Sequence, residues 1–436
     1  MNAARDLSPL KVAIAGLGTV GAGTLRVLAD QATLLTARAG RPLVVSAVSA
    51  RDRTRDRGVE LSSYSWFDDP VEMAKTADAD VVVELIGGAD GPAKAVCEAA
   101  LAAGRHVVTA NKALLAHHGV ALAEQAESKG LGLFYEAAVA GGIPIIKAMR
   151  EGLAANDIHA LHGILNGTCN YILTTMRETG RDFEDVLSEA QELGYAEADP
   201  TFDIDGIDAA HKLAILVSLA YRVPVDLDAL SIQGIRHITA LDIDFANELG
   251  YRIKLLGMAH RGGAGGIEQR VSPVMVPLNA PLAHVEGVYN AVVTEGDFVG
   301  RSVFEGRGAG AGPTASAVVA DLVDIARGNI TPVFGVPVGE LKVLPAERPE
   351  GHVGRYYVRL MVVDRPGVFA EVAAALRDEK VSMETIVQRA RDPGETVPVV
   401  MTLHDTEEGA MTRALERIGA IDAMVEPPRV IRIETF

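Results

Sequence analysis

The sequence predicts an α/β chain whose parallel sheet is wound with helices on both faces, followed by an α+β segment and a small βαββαβ unit. Three observations predict it. Short apolar runs alternate with helix-spaced stretches through the first third. The middle is richer in helical spacing, with strand-like runs only later. A stretch rich in proline, glycine and charge then precedes a last segment with its own alternation. Alternating buried strands and helices imply a parallel sheet, because only helical crossovers join parallel neighbours.

In the first third, Lys11–Gly16 (KVAIAG), Leu43–Ser49, Asp80–Leu85, His106–Thr109 and Leu131–Tyr135 read as strands. Val20–Leu35, Ala93–Ala103 and Leu114–Lys129 read as helices between them. In the middle, helices are expected near 143–154, 168–178, 182–193 and 207–221, and strands at Gln269–Val276 and Tyr289–Thr294. A helix over Thr314–Arg327 is expected to pack back on the first domain. Val343–Gly354 carries Pro345, Pro349, Gly351 and Gly354 among charges and reads as a linker. Beyond it come strand Tyr356–Val363, helix Gly367–Glu379, strands Val381–Ala390 and Val397–Leu403, helix Glu407–Ile418 and strand Arg429–Ile433, a ferredoxin-like order. The expected division is 1–137 with 311–342 packing back on it, then 138–310, the linker 343–354, and 355–436.

Composition narrows the function classes. At 436 residues and 48% hydrophobic, the chain can build two or three cores. A net charge of −17 argues against general affinity for nucleic acid or anionic membrane, which need a basic face. Two cysteines, Cys97 and Cys169, make no disulfide framework, and a reducing, cytoplasmic setting is the simplest reading. No apolar run is long enough to cross a bilayer. Arg5 and Lys11 before Val12–Gly18 imitate a signal peptide, but the glycine motif that follows at once makes that stretch a first buried strand.

That motif is Gly16-Leu17-Gly18-Thr19-Val20-Gly21, GxGxxG between a strand and a helix. The first glycine permits a tight turn, the second lets backbone approach a pyrophosphate, and the third lets helix and strand pack closely. The helix N-terminus then faces the phosphate charge. The motif alone is weak evidence; its strand and helix context makes dinucleotide binding the better reading. An acid ending the second strand would hold the ribose hydroxyls of NAD. Here that strand runs into Arg51, Asp52 and Arg53, with Arg55 and Arg57 behind. Arg51 and its neighbours suit a 2′-phosphate and favour NADP; Asp52 leaves NAD open.

The most informative segment is Leu193–Val223. Glu197, Asp199, Asp203, Asp205 and Asp208 crowd into twelve residues, and a nearly all-apolar helix follows. Asp205 is placed to cap that helix. Asp208 and Lys212 lie four apart on one face, ordinarily a weak surface pair. Ala209, Leu213, Ala214, Ile215, Leu216 and Val217 leave this helix little polar face, so Lys212 is expected to be buried with a partner or a task. His211 reads as a satisfied core or boundary histidine. Acids would bind a substrate ammonium, Glu197 first, while a lysine could give a proton to a carbonyl oxygen or take it back. Lys112, in Thr109-Ala110-Asn111-Lys112, follows a strand whose carboxyl end should face the ligand crevice.

Together these residues resemble the homoserine dehydrogenase family over roughly the first 345 positions. The resemblance runs through GLGTVG, VVELIGG at Val82–Gly88, Thr109–Lys112, YEAAVAGGIPII at Tyr135–Ile146 and ILNGTCNYIL at Ile164–Leu173. It continues through LGYAEADPTFDIDGIDAAHKLAIL at Leu193–Leu216, the most specific piece, and RGAGAGPTASAVVAD at Arg307–Asp321. It implies a Rossmann-like dinucleotide-binding domain joined to an α+β catalytic and dimerisation domain, and interconversion of L-homoserine and L-aspartate 4-semialdehyde with NAD(P), a step toward threonine and methionine. It assigns proton transfer to Lys212, with Lys112 and Asp208 catalytic beside it. Glu197, Asp203, Tyr195 and Thr168 become substrate contacts. Gly16, Leu17, Gly18, Thr19, Val20, Gly21, Arg51, Lys112 and Gly312 become cofactor contacts. It also implies a monovalent cation, usually sodium, on backbone carbonyls of Glu136, Val139, Gly141 and Ile143; read from the residues alone, Gly141, Gly142 and Pro144 are a hinge. The tail resembles an ACT domain, with Asp364-Arg365-Pro366-Gly367-Val368 between its first strand and its helix, Pro366 starting that helix and Gly367 giving access to a ligand carboxylate. That implies an amino-acid effector, threonine in this family. A homodimer or homotetramer is expected, and no kinase domain upstream.

Two rival readings remain. A phosphorylating aldehyde dehydrogenase on the same cofactor fold would need Cys169 as nucleophile, whereas a buried cysteine is more often a small hydrophobe. An amino-acid-sensing scaffold would bind nucleotide without turnover.

Overall fold

The apolar run Leu10–Ala15 (β1) is the centre of a six-stranded parallel sheet. It is joined by β2 (Leu43–Ser49), β3 (Ser65–Phe67), β4 (Val81–Glu84), β5 (His106–Thr109) and β6 (Leu133–Phe134). The order is β3-β2-β1-β4-β5-β6, so the chain reverses direction across the sheet between β1 and β4. The computed structural model describes residues 8–262, 265–347, 351–389 and 394–436. Arg5, Pro349 and Ala390, named in the expectations above, and Arg348 and Glu350 of the expected linker lie outside them.

Helices α1 (Thr19–Asp30), α2 (Ala32–Ala39), α3 (Pro70–Thr76), α4 (Pro92–Ala102) and α5 (Lys112–Glu127) cover this sheet. The single helix expected over Val20–Leu35 is two helices, divided at Gln31. The strand expected over Leu131–Tyr135 shrinks to two residues, and β3 and α3 were not expected. β1 and β4 are buried on both faces, as parallel strands under two helical layers must be.

The chain then passes a buried loop, α6 (Ile145–Lys147) and a π-helical turn at Ala148–Gly152, in place of the one helix expected near 143–154. Next come β7 (Ile158–Ile164), α7 (Gly167–Thr179), α8 (Phe183–Glu192), α9 (Thr201–Ile204), α10 (Ile207–Tyr221) and β8 (Ser231–Ile232). They are followed by α11 (Ala240–Glu248), β9 (Tyr251–Arg261), β10 (Ile267–Pro277), β11 (Tyr289–Gly296), β12 (Gly300–Arg307) and α12 (Ala311–Arg327). α12 returns to the first sheet as expected: a Cβ on Gly23 of α1 would lie 2.9 Å from the Ala311 carbonyl. The helix is apolar on the face toward α1, with Val318, Leu322 and Ile325 buried.

The C-terminal unit holds β13 (Val353–Val363), α13 (Val368–Asp378), β14 (Met383–Val387), β15 (Thr396–Glu407), α14 (Glu408–Gly419) and β16 (Arg429–Ile433), the βαββαβ order expected. Its strands do not stand apart. β16 pairs in parallel with β10 through Val274–Arg432 and Met275–Ile433, making one ten-stranded sheet, β12-β11-β7-β9-β10-β16-β13-β15-β14, with β8 beside β10. The expected linker is tied down as well, since Ile267 exchanges backbone hydrogen bonds with Pro345 and Glu347. No described helix is long and apolar enough to cross a membrane.

A buried ion pair fastens the unit. Arg359 on β13 meets Asp242 on α11 at 2.7 Å, and the Tyr357 hydroxyl donates to the same carboxylate at 3.0 Å. Asp242 also completes a capping box with Thr239. Both charges of the pair are almost wholly buried. Arg359→Leu is therefore expected to lower stability by about 3–5 kcal/mol, since it strands a buried carboxylate. Urea unfolding should show the double variant Arg359→Leu/Asp242→Leu losing less than that single variant.

Candidate active site

The glycine loop has the geometry its spacing demands. Gly16 has φ +101°, and a Cβ there would lie 2.5 Å from the Leu85 carbonyl. A Cβ on Gly21 would lie 2.1 Å from the Gly16 carbonyl, so strand and helix pack on bare backbone. Around Gly18 there is open space, and Gly18 begins α1, whose first turn carries no acid. A phosphate group fits there on the free N–H groups of the helix end, with Thr19 and Val20 in its first turn. Gly312 in the first turn of α12 faces open space too. The loop is braced by Arg57, whose Nε donates to the Leu17 carbonyl at 3.0 Å.

The four arginines after β2 divide. Arg57 is committed to the loop and Arg53 stacks over Trp66, while Arg51 makes no ion pair with a described residue. Asp52 is exposed and engaged locally. Its Oδ1 accepts from the Thr54 backbone and hydroxyl at 2.8 and 2.7 Å, and these bonds hold its carboxyl below the usual range.

At the carboxyl ends of β4 and β5 the chain prepares the next piece. Glu84, fully buried, accepts from the Thr109 hydroxyl at 2.6 Å and from the Ile86 and Gly87 backbone. Asn111 caps α5 by accepting from the Leu114 N–H, and its amide donates to the Gly88 carbonyl. Lys112 is thereby the first residue of α5, aimed away from the sheet and 5.5 Å from the Phe202 ring.

It meets Asp208. The Lys112 ammonium lies 2.9 Å from Asp208 Oδ1, and the Lys212 ammonium 2.7 Å from Oδ2. Lys212 also donates to the Leu165 carbonyl at 2.7 Å, which uses two of its three N–H bonds and leaves the third. Asn166, the cap of α7, donates to both Asp208 and Asp203 at 2.8 Å. The Thr168 hydroxyl lies 2.8 Å from the Tyr195 carbonyl and 3.1 Å from Asp203, and its one proton is donated to one of them at a time. Burial alone would raise the Asp208 pKa, but Lys212 and Lys112 outweigh it and hold the carboxyl far below its usual range. Burial would likewise lower Lys112; Asp208, Asp203 and Glu197 raise it instead. Asp203 is pushed up, by burial and then by the Asp208 charge. An incoming cation would relieve that penalty.

Lys212, Lys112, Asp208, Asp203 and Thr168 thus converge. Glu197 is an exposed carboxylate at the rim that acts on Lys112 through space, and Tyr195 is half exposed with its ring against Tyr171. Lys212 is buried, as the apolar helix predicts. Two expectations fail. Asp205 does not cap α10: Gly206, at φ +86°, precedes the helix with no side-chain cap, and Asp205 pairs with Arg236 instead. His211 is a core histidine, buried against His117 and Phe202, but it is not satisfied: its Nδ1 has no hydrogen-bond partner among the described residues. Cys169 is fully buried, its thiol donates to the Asp203 carbonyl, and burial pushes its pKa well up, so it offers no thiolate.

Asn166 and Glu84 were missed. Both lie in the quoted stretches, but an asparagine before an apolar helix and a single acid in an apolar strand read as a cap and a strand end. Only their distances show that one bridges two acids and the other shapes the loop before Lys112.

The loop before α6 is buried from Tyr135 to Gly141 and exposed at Gly142 and Pro144. Glu136 accepts from the Ile146 and Lys147 N–H groups at the start of α6, and its own N–H donates to Asp321. Burial, with Asp321 nearby, lifts the Glu136 pKa to about 7. Ala140 has φ +52°, and the carbonyls of Val139 and Gly141 on either side accept nothing from a described residue. Buried carbonyls normally have partners.

Family models match three stretches: homoserine dehydrogenase NAD binding domain at 16–136, homoserine dehydrogenase at 144–323 and ACT domain at 356–421. The chain is 44% identical to a homoserine dehydrogenase of Neisseria gonorrhoeae, covering 99% of this chain and 100% of that one. It is 45% identical to one from Pseudomonas aeruginosa, covering 98% and 99%. A crystal structure of the Thiobacillus denitrificans homoserine dehydrogenase superposes with a TM-score of 0.91 at 44% identity, over 98% of each chain. A hyperthermophilic archaeal homoserine dehydrogenase in complex with NADPH superposes with a TM-score of 0.64 at 27% identity, covering 75% of this chain and 100% of that one.

The site makes a pH prediction. Burial, then His117, pushes the His211 pKa down from 6.5 to about 4. Between those values the unfolded chain binds the proton and the folded chain does not, so stability falls as pH drops from 6.5 toward 4. Urea unfolding at pH 7 and pH 4.5 should show His211→Gln losing about 1–3 kcal/mol less than the parent over that interval.

Proposed function

The chain belongs to the homoserine dehydrogenase family, an NAD(P)-dependent oxidoreductase family, and from that premise we propose how its residues divide the reaction. The observation that carries the reading is the buried Asp208 carboxylate holding Lys112 on one oxygen and Lys212 on the other. Residues 1–137 with 311–342 bind the nicotinamide cofactor, 138–310 bind the substrate and assemble the oligomer, and 355–436 take an effector. A nicotinamide cofactor held at the Gly16–Gly21 loop would supply hydride to the aldehyde carbon, or accept it in reverse. Lys212 gives a proton from its free N–H bond to the developing alkoxide oxygen, and returns to the ammonium from solvent. The reaction interconverts L-aspartate 4-semialdehyde and L-homoserine. Lys112, leaving the carboxyl end of β5, lies where cofactor and substrate meet. Asp203, Thr168, Tyr195 and Glu197 surround the substrate ammonium.

Arg51, with no ion pair among the described residues, and Asp52, engaged with Thr54, favour a 2′-phosphorylated cofactor. The Val139 and Gly141 carbonyls, with Glu136 and Ile143 beside them, suit a sodium ion that would order the loop between the two sheets. The exposed edge strand β12, with Val303 uncovered on it and Phe298 uncovered in the turn before it, suits pairing with a second copy. In the C-terminal unit, Gly367 has φ +97° and opens on free space before α13, next to a cavity of about 60 Å³ bounded by Asp364, Arg365 and Phe369. Pro366 lies in the turn before Gly367 and does not open the helix, contrary to expectation. Threonine is the effector proposed, and that cavity must widen to admit it.

Lys212→Ala should lower kcat for NADPH oxidation with L-aspartate 4-semialdehyde by at least about 100-fold with an unchanged circular dichroism spectrum. Cys169→Ala should keep activity with no need of phosphate. No turnover by the folded, cation-supplied parent would refute the enzyme reading. Arg51→Ala should raise KM for NADPH several-fold and leave KM for NADH unchanged. Added threonine should reduce the rate; an unchanged rate with no threonine binding by calorimetry would remove the effector proposal.

A further inference from the structure

Antiparallel pairing sets His260 on β9 directly opposite Glu268 on β10, so their side chains leave the sheet on the same face. A third side chain arrives from elsewhere. His352, the residue before β13, has its carbonyl fixed by the Glu408 N–H, and its ring reaches the same carboxylate. His260 Nε2 lies 3.1 Å and His352 Nδ1 3.0 Å from Glu268 Oε2, and the three donor atoms all fall within 4.8 Å of one another. The His352 ring lies against Gly354, where a Cβ would come within 2.7 Å of its Nε2.

Charge around the cluster leaves room for a cation. Glu268 Oε1 is engaged by Arg270 at 2.7 Å and Arg432 at 3.2 Å, while Oε2, among the described residues, is met by the two imidazoles. Arg270 also pairs with Glu434, and Arg432 with Glu408. Three carboxylates against two guanidiniums leave one negative charge with the histidines neutral.

We propose that His260, Glu268 and His352 form a binding site for a divalent transition-metal ion of the zinc class. Two imidazole nitrogens and one carboxylate oxygen are the borderline donor set such ions take, with water in the fourth position. Bond lengths of about 2.0–2.1 Å put tetrahedral neighbours roughly 3.3 Å apart, within a few tenths of an ångström of the two contacts seen. Sodium and magnesium prefer oxygen donors and do not suit this set. Two ligands come from β9 and β10 and one from the residue before β13. A bound ion would add a further tie between the β9–β10 pair and the start of the C-terminal unit.

The test uses the full chain, stripped with a chelator and dialysed, then titrated with Co²⁺ and with Zn²⁺. The expected result is one ion per chain by elemental analysis, an intense visible Co²⁺ absorption of low-coordinate type, and its loss on adding Zn²⁺. His260→Gln and His352→Gln should each weaken binding at least about 100-fold with unchanged circular dichroism. His260 is about one-third exposed, so its replacement keeps the test valid if the His352 variant fails to fold. Absence of retained metal in the parent, or equal retention in the folded His260 variant, overturns the proposal.

Discussion

Everything at the centre of this molecule turns on one buried carboxylate. Asp208 stands between two lysines that the chain brings from different helices, Lys112 from the start of α5 after β5 and Lys212 from the second turn of α10. Either ammonium buried alone would carry a large desolvation penalty, and together they would repel. The carboxylate therefore fixes more than two side chains. It fixes the approach of α5 to α10, and with it the angle at which the dinucleotide sheet faces the acids of the 195–208 segment. Asn166 extends the same constraint to α7 by donating to Asp203 and Asp208 together.

How much of this was legible in the sequence depended on how local each determinant is. The glycine loop was legible because turn, approach and packing each act within a few residues. Lys212 was legible because an apolar helix leaves a charged residue nowhere to go but inside. The Asp205 cap failed because Gly206 takes a left-handed turn that swings the acid toward Arg236. The helix near 143–154 failed where a short helix gives way to a π turn, an irregularity with no periodic signature. β7, β9 and β12 went unread because their burial is set by partners far along the chain. The small C-terminal unit was read well, element by element, since its strands and helices alternate with clean apolar faces.

What no local pattern could disclose is the joining of β10 to β16. Residues 343–354 read as a linker by composition, and composition is blind to pairing. In the fold, Pro345 and Glu347 bond to Ile267 at the head of β10, so the connection runs as an extra rail beside the sheet. Arg359 and Tyr357 on Asp242 close the opposite side of the same junction. The C-terminal unit is held by hydrogen bonds, a buried charge pair and a shared strand edge at once.

That shared edge has a mechanical meaning. A module hung on a flexible tether passes on only its position, whereas strands locked in one hydrogen-bonded array pass on torque. Twist introduced at β14 or β15 must be absorbed by bending at β16 or handed to β10, and from β10 to β9 and β7, whose last residues lead into Leu165 and Asn166. The backbone carbonyl that receives Lys212 thus sits at the far end of a torsion bar whose near end is the effector unit.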